Sequence, residues 1–206
     1  MEAKDYLDYI SRVIHTTVAA TVDDDGRPVT AAIDMMDSDE NGLYFLTARG
    51  KSFYDRLTKR GYIALTALKG EDTMHSVAVS VRGKVRELGP DPLPRLFAKN
   101  GYMTEIYPTE ASRAALTVFR IFEGTGEWFD LSKRPIERAV FSFGGASAAQ
   151  EGYFITEACI GCGVCVNVCP QKCIDTSARP LRIVQEHCLH CGNCWRECPA
   201  DAVVKR

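Results

Sequence analysis

The first 150 residues contain no cysteine, although the 206-residue chain has nine. That part has no thiol with which to hold a metal or form a disulfide, and has to close around an ordinary apolar core. No apolar run approaches the roughly 20 residues needed to span a bilayer. Met1–Asp5 lacks the charged and then apolar profile of a signal peptide. The expectation is a cytoplasmic protein with no membrane association. An excess of one charge is also missing: the formal net charge is −2 with both signs interspersed, which argues against a nucleic-acid footprint. A dinucleotide fingerprint is absent too, because Gly124-x-Gly126 stands alone.

What the chain does have is concentrated in residues 159–199. All nine cysteines lie there, eight of them in two copies of one spacing, offset by 29 residues. The copies are Cys159-x2-Cys162-x2-Cys165-x3-Cys169-Pro170 and Cys188-x2-Cys191-x2-Cys194-x3-Cys198-Pro199. Two such runs in tandem are the signature of a pair of cubane iron–sulfur clusters. Closely spaced thiolates let one tight loop hold three corners of a cube, while the fourth cysteine, before proline, points away and ligates the other cluster. This predicts one cluster on Cys159, Cys162, Cys165 and Cys198, and the other on Cys188, Cys191, Cys194 and Cys169. Gly161, Gly163 and Gly192 suit backbone that approaches a cluster or takes positive φ.

The competing readings fit less well. Disulfides suit a small secreted framework and would leave one of the nine cysteines unpaired. Zinc has no use for the third and fourth cysteine of each run. Ordinary buried thiols would not repeat at a fixed interval. The repeat aligns Cys173 with Ala202, so Cys173 reads as a small buried apolar residue. His187 and His190 flank ligand sets that are already complete, and are expected outside them or facing solvent. Residues 151–206 closely resemble the bacterial-type ferredoxin family with two 4Fe–4S clusters. So short and cysteine-rich a segment relies on its clusters for stability. The clusters also add negative charge, which makes a basic patch on an electron-transfer partner plausible.

Upstream, Tyr6, Leu7, Ile10, Val13 and Ile14 give residues 3–14 a helical period. Thr17–Val22 and Val29–Met35 read as a hairpin around Asp23–Pro28. The three aspartates there lack a further ligand at calcium spacing and read as a solvated turn. A second turn at 37–42 leads into strand Leu43–Thr47. A helix follows Lys51, and strands are expected at Tyr62–Leu68 and 76–82. Residues 92–106 read as helix, and Leu116–Phe122 and Glu127–Phe129 as the last strands. Many antiparallel strands with short outer helices predict a mainly β, α+β fold closed as a small barrel. The expected division is a domain over 1–141, a small-residue linker over 142–152, and a cluster domain over 153–206.

Residues 5–130 resemble the split β-barrel flavoproteins of the pyridoxamine-phosphate-oxidase-like superfamily. The resemblance rests on the hairpin, the strand ending in Thr47, the basic Gly50-Lys51-Ser52 turn, and the Tyr107-Pro108 and Phe119-Arg120-Ile121 segments. Read from residues alone, Arg49–Ser52 is either a phosphate cradle at a helix N-terminus or an ordinary helix start with two solvated cations. The resemblance selects the cradle, and implies that Arg49, Lys51 and Ser52 hold the phosphate of FMN. It also implies that Ala32, Ile33, Asp34, Thr47 and Ala48 line the ribityl chain and ring, and that the protein is a homodimer with flavin at the interface. Tyr107 and Trp128 are candidates to stack on the ring, with a core role as the alternative for each. His15 and His75 read as surface or capping residues. The aromatic and arginine-rich C-terminal segment of true pyridoxamine-phosphate oxidases is not matched by Glu127–Pro135, so vitamin B6 oxidation is unsupported.

A flavin exchanges electrons in pairs or singly and a 4Fe–4S cluster one at a time, so a chain with both can convert between the two. The expected function is an FMN and iron–sulfur oxidoreductase, with either an electron-transfer protein or a small redox substrate as partner. The alternatives are a non-catalytic electron carrier or redox sensor whose barrel serves dimerisation, and a barrel that takes haem or a deazaflavin.

Overall fold

The computed structural model describes all residues, Met1–Arg206. Internal contacts divide it into two compact units. The first comprises Met1–Glu71, Val77–Trp128 and Val140–Ala148; the second comprises Asp72–Ser76, Phe129–Ala139 and Ala149–Arg206. The second unit therefore takes two segments from upstream of the cysteine-rich region.

The first unit opens with helix α1 (Ala3–Asp8), which widens into a π-helical turn over Tyr9–Ile14. Tyr6, Leu7 and Ile10 are buried, as the helical period requires. Strands β1 (Thr16–Val22) and β2 (Pro28–Asp34) form the first hairpin, with Thr16 opposite Asp34. Its turn is closed by Asp23, whose carboxylate accepts from the Arg27 amide at 2.8 Å. Next come β3 (Asp37–Asp39), β4 (Gly42–Ala48), α2 (Ser52–Arg60), β5 (Tyr62–Lys69) and β6 (Val77–Gly89). Helices α3 (Leu93–Lys99), α4 (Met103–Ile106) and α5 (Glu110–Arg113) precede β7 (Leu116–Asp130) and β8 (Glu137–Phe143).

The strands form one antiparallel sheet in the order β2-β1-β5-β6-β7-β4-β3, with β8 also on β7. The sheet curls until β2 meets β4, the closure expected of a small barrel. Side-chain alternation puts Phe45 and Phe119 inside, stacked at 5.7 Å, with Ile63, Leu65, Val79 and Val81 also buried. The opposite face of β4 and β7 (Tyr44, Leu46 and Val118) is covered by Leu93, Leu96 and Phe97 of α3 and Met103 of α4.

Three features differ from the sequence expectation. β7 is continuous through Gly124 and Gly126, where two strands were expected. A Cβ on Gly124 would lie 2.5 Å from the Arg82 carbonyl, and one on Gly126 would lie 2.2 Å from the Phe141 ring. Both glycines thus permit close packing along a continuous strand. β8 was passed over because Phe141 and Phe143 alone supply its inward alternation. The helix expected over 92–106 breaks at Asn100, whose side-chain amide donates to the Met36 and Leu96 carbonyls at 2.9 and 2.7 Å.

The second unit contains β9 (Tyr153–Ile155), α6 (Val164–Val168), β10 (Ile174–Asp175), β11 (Arg182–Ile183), α7 (Asn193–Arg196) and β12 (Val203–Lys205). β9 pairs with β12 and β10 with β11. The 29-residue repeat extends to the backbone. Gly163 and Gly192 have φ of 77° and 78°, and Lys172 and Asp201 have 52° and 48°. His190, at 55°, takes the place of Gly161, at 71°. The upstream segments bond into this unit. Ile136 N–H donates to Gln171 at 3.2 Å, the Ile136 carbonyl meets His187 Nδ1 at 3.0 Å, and Leu131 N–H donates to the Ser76 carbonyl at 3.0 Å.

Candidate functional site

Eight thiols surround two cavities. One, of about 330 Å³, is lined by Cys159, Cys162, Cys165 and Cys198, with Leu181 and Val203 among its apolar walls. The other, also about 330 Å³, is lined by Cys169, Cys188, Cys191 and Cys194, with Ile174 and Ile183. Each cavity thus takes its fourth cysteine from the other run. The geometry follows from the local chain: α6 and α7 start on the left-handed Gly163 and Gly192, and the Pro-flanked fourth cysteine leaves each helix extended or at its end. No three His, Cys, Asp or Glu side chains converge closely enough for a single ion. A cage of thiols around apolar-walled space fits a larger inorganic core better than a zinc knuckle.

The two cages differ in their surroundings. Cys162 and Cys191, equivalent in the repeat, are exposed, whereas Cys165 and Cys194 are buried. Burial pushes the Cys165 thiol up, and takes Cys194 up to about 11. Cys173 also lines the second cavity, with its sulfur 3.4 Å from that of Cys169. Its thiol donates to Cys188, which is thereby held below the ordinary thiol range against the effect of burial. The His190 amide, 3.4 Å from Cys188 Sγ, and the Arg138 guanidinium add to this lowering. Cys173 is thus buried, as expected, but in contact with the cage rather than apart from it.

In the first unit, Arg49, Lys51 and Ser52 are all exposed at the start of α2. Lys51 is the N-cap residue, in extended conformation, and makes no side-chain cap bond. The helix thus offers free N–H groups beside two cations, a donor set that suits a phosphate. Arg49 is held on the other side: its guanidinium donates to the Ala114 carbonyl at 3.3 Å and lies 3.6 Å from Glu87. Glu87 also accepts from Tyr54 at 3.0 Å and from Thr117 at 2.6 Å. The sequence reading overlooked Glu87, whose polar partners come from α2, β7 and the turn before α2.

The remaining candidates are dispersed. Ala32, Ile33 and Asp34 lie on edge strand β2, where Ala32 is exposed. Ala48 is half-buried, but Thr47 points into the barrel and its hydroxyl is buried without a partner. Any ligand contact from Thr47 would come from its backbone. Tyr107 is half-buried against the α3–β4 packing, and its carbonyl accepts from Arg113 at 2.8 Å. Trp128 does not present a stacking face. It is buried, with ring centroids 5.6 Å from Tyr6 and 4.9 Å from Tyr9, because β7 turns it towards α1 and the π-helical turn. His75 is a surface residue at the end of a short turn that Asp72 caps, with its ring 2.8 Å from the Asp72 carboxylate.

Residues 8–132, more than half of the chain, match the family model for pyridoxamine 5'-phosphate oxidase. The chain belongs to that family. Residues 158–202 match the 4Fe-4S dicluster domain, so an iron–sulfur module follows the family's barrel in one polypeptide. No curated protein matches the chain. Several solved structures share the barrel. A conserved hypothetical protein from Mycobacterium tuberculosis is 18% identical with a TM-score of 0.53, over 64% of this chain and 86% of that one. A heme binding protein from Mycobacterium smegmatis is 12% identical with a TM-score of 0.52, over 68% and 58%. A pyridoxamine 5'-phosphate oxidase-related, FMN binding protein from Nostoc punctiforme is 12% identical with a TM-score of 0.50, over 66% and 86%. Such identities show the fold alone. The two modules together point to redox chemistry and electron transfer. No helix is long and apolar enough to cross a membrane.

Proposed function

We propose that the protein is an oxidoreductase that passes electrons between FMN in the barrel and two 4Fe–4S clusters in the C-terminal module. The observation that carries this reading is the pair of four-thiol cages in a chain whose other module is a pyridoxamine 5'-phosphate oxidase family barrel. In this reading Cys159, Cys162, Cys165 and Cys198 hold one cluster, and Cys188, Cys191, Cys194 and Cys169 the other. Arg49, Lys51, Ser52 and the N-terminus of α2 hold the FMN phosphate. Backbone of Ala32–Asp34 and Thr47–Ala48 borders the rest of the flavin, with Tyr107 beside it. When bound, flavin supplies exchange between electron pairs and the single electrons that the clusters carry. The chain's own task is to shield the cages with apolar walls and to leave Cys162 and Cys191 at the surface as points of electron entry.

The outer face of the sheet supports a homodimer. Val18, Val22, Tyr62 and Leu68 are exposed large apolar residues on the adjacent strands β1 and β5, an arrangement suited to a second copy. The residues fit the clusters and the phosphate end of the flavin; the small-molecule substrate is left open.

The test is anaerobic purification with identification of every chromophore. Flavin absorption beside the broad iron–sulfur shoulder supports the reading. Iron–sulfur absorption alone, persisting under saturating FMN, reduces the protein to an electron carrier or redox sensor. A Soret band assigns the barrel to haem instead, and colourless oxygen-free protein without iron or sulfide refutes the reading altogether.

A further inference from the structure

The 29-residue repeat makes the two cages near copies, so their differences can be set against each other position by position. Each cage receives a backbone N–H on a ligand sulfur: Ala202 donates to Cys198 at 3.3 Å, and His190 to Cys188 at 3.4 Å. A guanidinium stands near each. Arg138 acts on Cys188, and Arg179 packs with its Nε 3.4 Å from where a Cβ on Gly161 would lie. Positions 173 and 202, which the repeat aligns, are also pinned alike. Val184 N–H donates to the Cys173 carbonyl and Thr156 N–H to the Ala202 carbonyl, both at 2.8 Å. The side chains there do not match: Ala202 lines the first cavity with a methyl group, and Cys173 lines the second with a thiol.

Cys173 is 5% exposed and shares a buried cluster with Ile174, Leu181 and Ile183. Its Sγ is 3.4 Å from that of Cys169, and its thiol donates to Cys188. These two cysteines come from different runs but line the same cavity. The S–H therefore meets a sulfur of that cage whichever of the two it points to. Loss of its proton would set a third thiolate against two others in an apolar enclosure, so the group stays a neutral donor. Such a donor stabilises the more negative form of what it touches, and does so more strongly where water is excluded. Hydrogen bonds to sulfur are among the features that set the potential of an iron–sulfur cluster.

We propose that Cys173 makes the two clusters unequal: its S–H raises the reduction potential of the cluster on Cys169, Cys188, Cys191 and Cys194 above that of the cluster on Cys159, Cys162, Cys165 and Cys198. A single electron entering the module then settles on the second cluster, and the first hands electrons on to it. Reduction adds one electron there while the thiol keeps its proton. Cys173 acts through the ligand sulfurs and is a positioning residue, not a ligand. This role rests on the cluster assignment of the proposed function and needs no flavin.

The test is a dithionite titration of the full-length protein under anaerobic conditions, followed by electron paramagnetic resonance, with iron and sulfide counted in every sample. The parent should show two midpoints. Cys173→Ala should keep parental iron and sulfide and lower the higher midpoint alone. The expected shift in its one-electron equilibrium is severalfold to roughly tenfold, tenfold being about 59 mV. Cys173→Ser keeps a donor in place and should hold the parental value or exceed it. The reciprocal Ala202→Cys should raise the lower midpoint and bring the pair together. Unchanged midpoints in Cys173→Ala, a fall in the lower midpoint instead, or an equal fall in Cys173→Ser overturns the proposal. Iron loss from folded Cys173→Ala makes Cys173 a ligand and overturns it too. If Cys173→Ala fails to fold, Ala202→Cys decides, and an unmoved lower midpoint then overturns the proposal. Parent protein without iron or sulfide refutes the cluster assignment itself, whereas full cluster content with unmoved potentials refutes only the role of Cys173.

Discussion

The proposed phosphate cradle makes a prediction with opposite signs at neighbouring residues. Lys51 is exposed and makes no cap bond, so it can turn fully to an anion. A charge-assisted bond from such a group contributes about 1.5–3 kcal/mol before the ordering of a flexible side chain is subtracted. A net of about 1.4 kcal/mol corresponds to a tenfold change in Kd. Lys51→Ala should therefore weaken FMN binding about tenfold. Arg49 must first loosen its 3.6 Å approach to Glu87, a half-exposed pair contributing about 0–1 kcal/mol. Arg49→Ala should therefore cost about three- to tenfold, and the double variant about 30–100-fold if the effects add. Glu87→Gln should do the reverse, tightening binding a few-fold by removing a negative charge and releasing Arg49. A glutamine carbonyl can still accept the 2.6 Å bond from Thr117, so the fold should persist. The assay is quenching of FMN fluorescence on titration with flavin-free protein, with iron content as control. Parental affinity in the double variant, or weaker binding in Glu87→Gln, would refute the assignment.

The cages predict crossed effects: Cys169→Ala should damage the cluster of Cys188, Cys191 and Cys194, and Cys198→Ala the other. Iron counting with electron paramagnetic resonance on the two variants distinguishes this from ligation within each run. Leu68→Glu, on the exposed outer face, should shift sedimentation from dimer to monomer without unfolding the barrel. Phe119→Ala empties a stacked core position and should lower stability by about 3–5 kcal/mol, measured by denaturant unfolding. Asp34 has a lowered pKa in the folded protein, so its contribution is present above the unfolded carboxylate value, about 3.9, and is lost as pH falls through the lower folded value. Asp34→Asn should accordingly flatten the acid limb of the unfolding curve below about pH 4.

Much of this protein was legible in its sequence, for reasons of range. The spacing of eight cysteines, with proline after the fourth of each run, encodes crossed cages because the geometry is set within a few residues of each ligand. The hairpin turn at Asp23–Gly26, the positive-φ glycines and the strands β1, β4 and β5 are local too. What tertiary structure alone decided depends on register and burial. Whether Trp128 stacks on a ligand or on Tyr6 and Tyr9 follows from which face of β7 meets α1. Thr47 faces inward by the same alternation. Cys173 looked inert because the repeat gives it no counterpart, yet the fold brings its sulfur to 3.4 Å from Cys169. His15 and Tyr102 are 87 residues apart, and only the closed sheet brings them together. Side-chain period shows which residues are buried together, whereas long-range hydrogen bonds exist only once distant segments have been folded into one place.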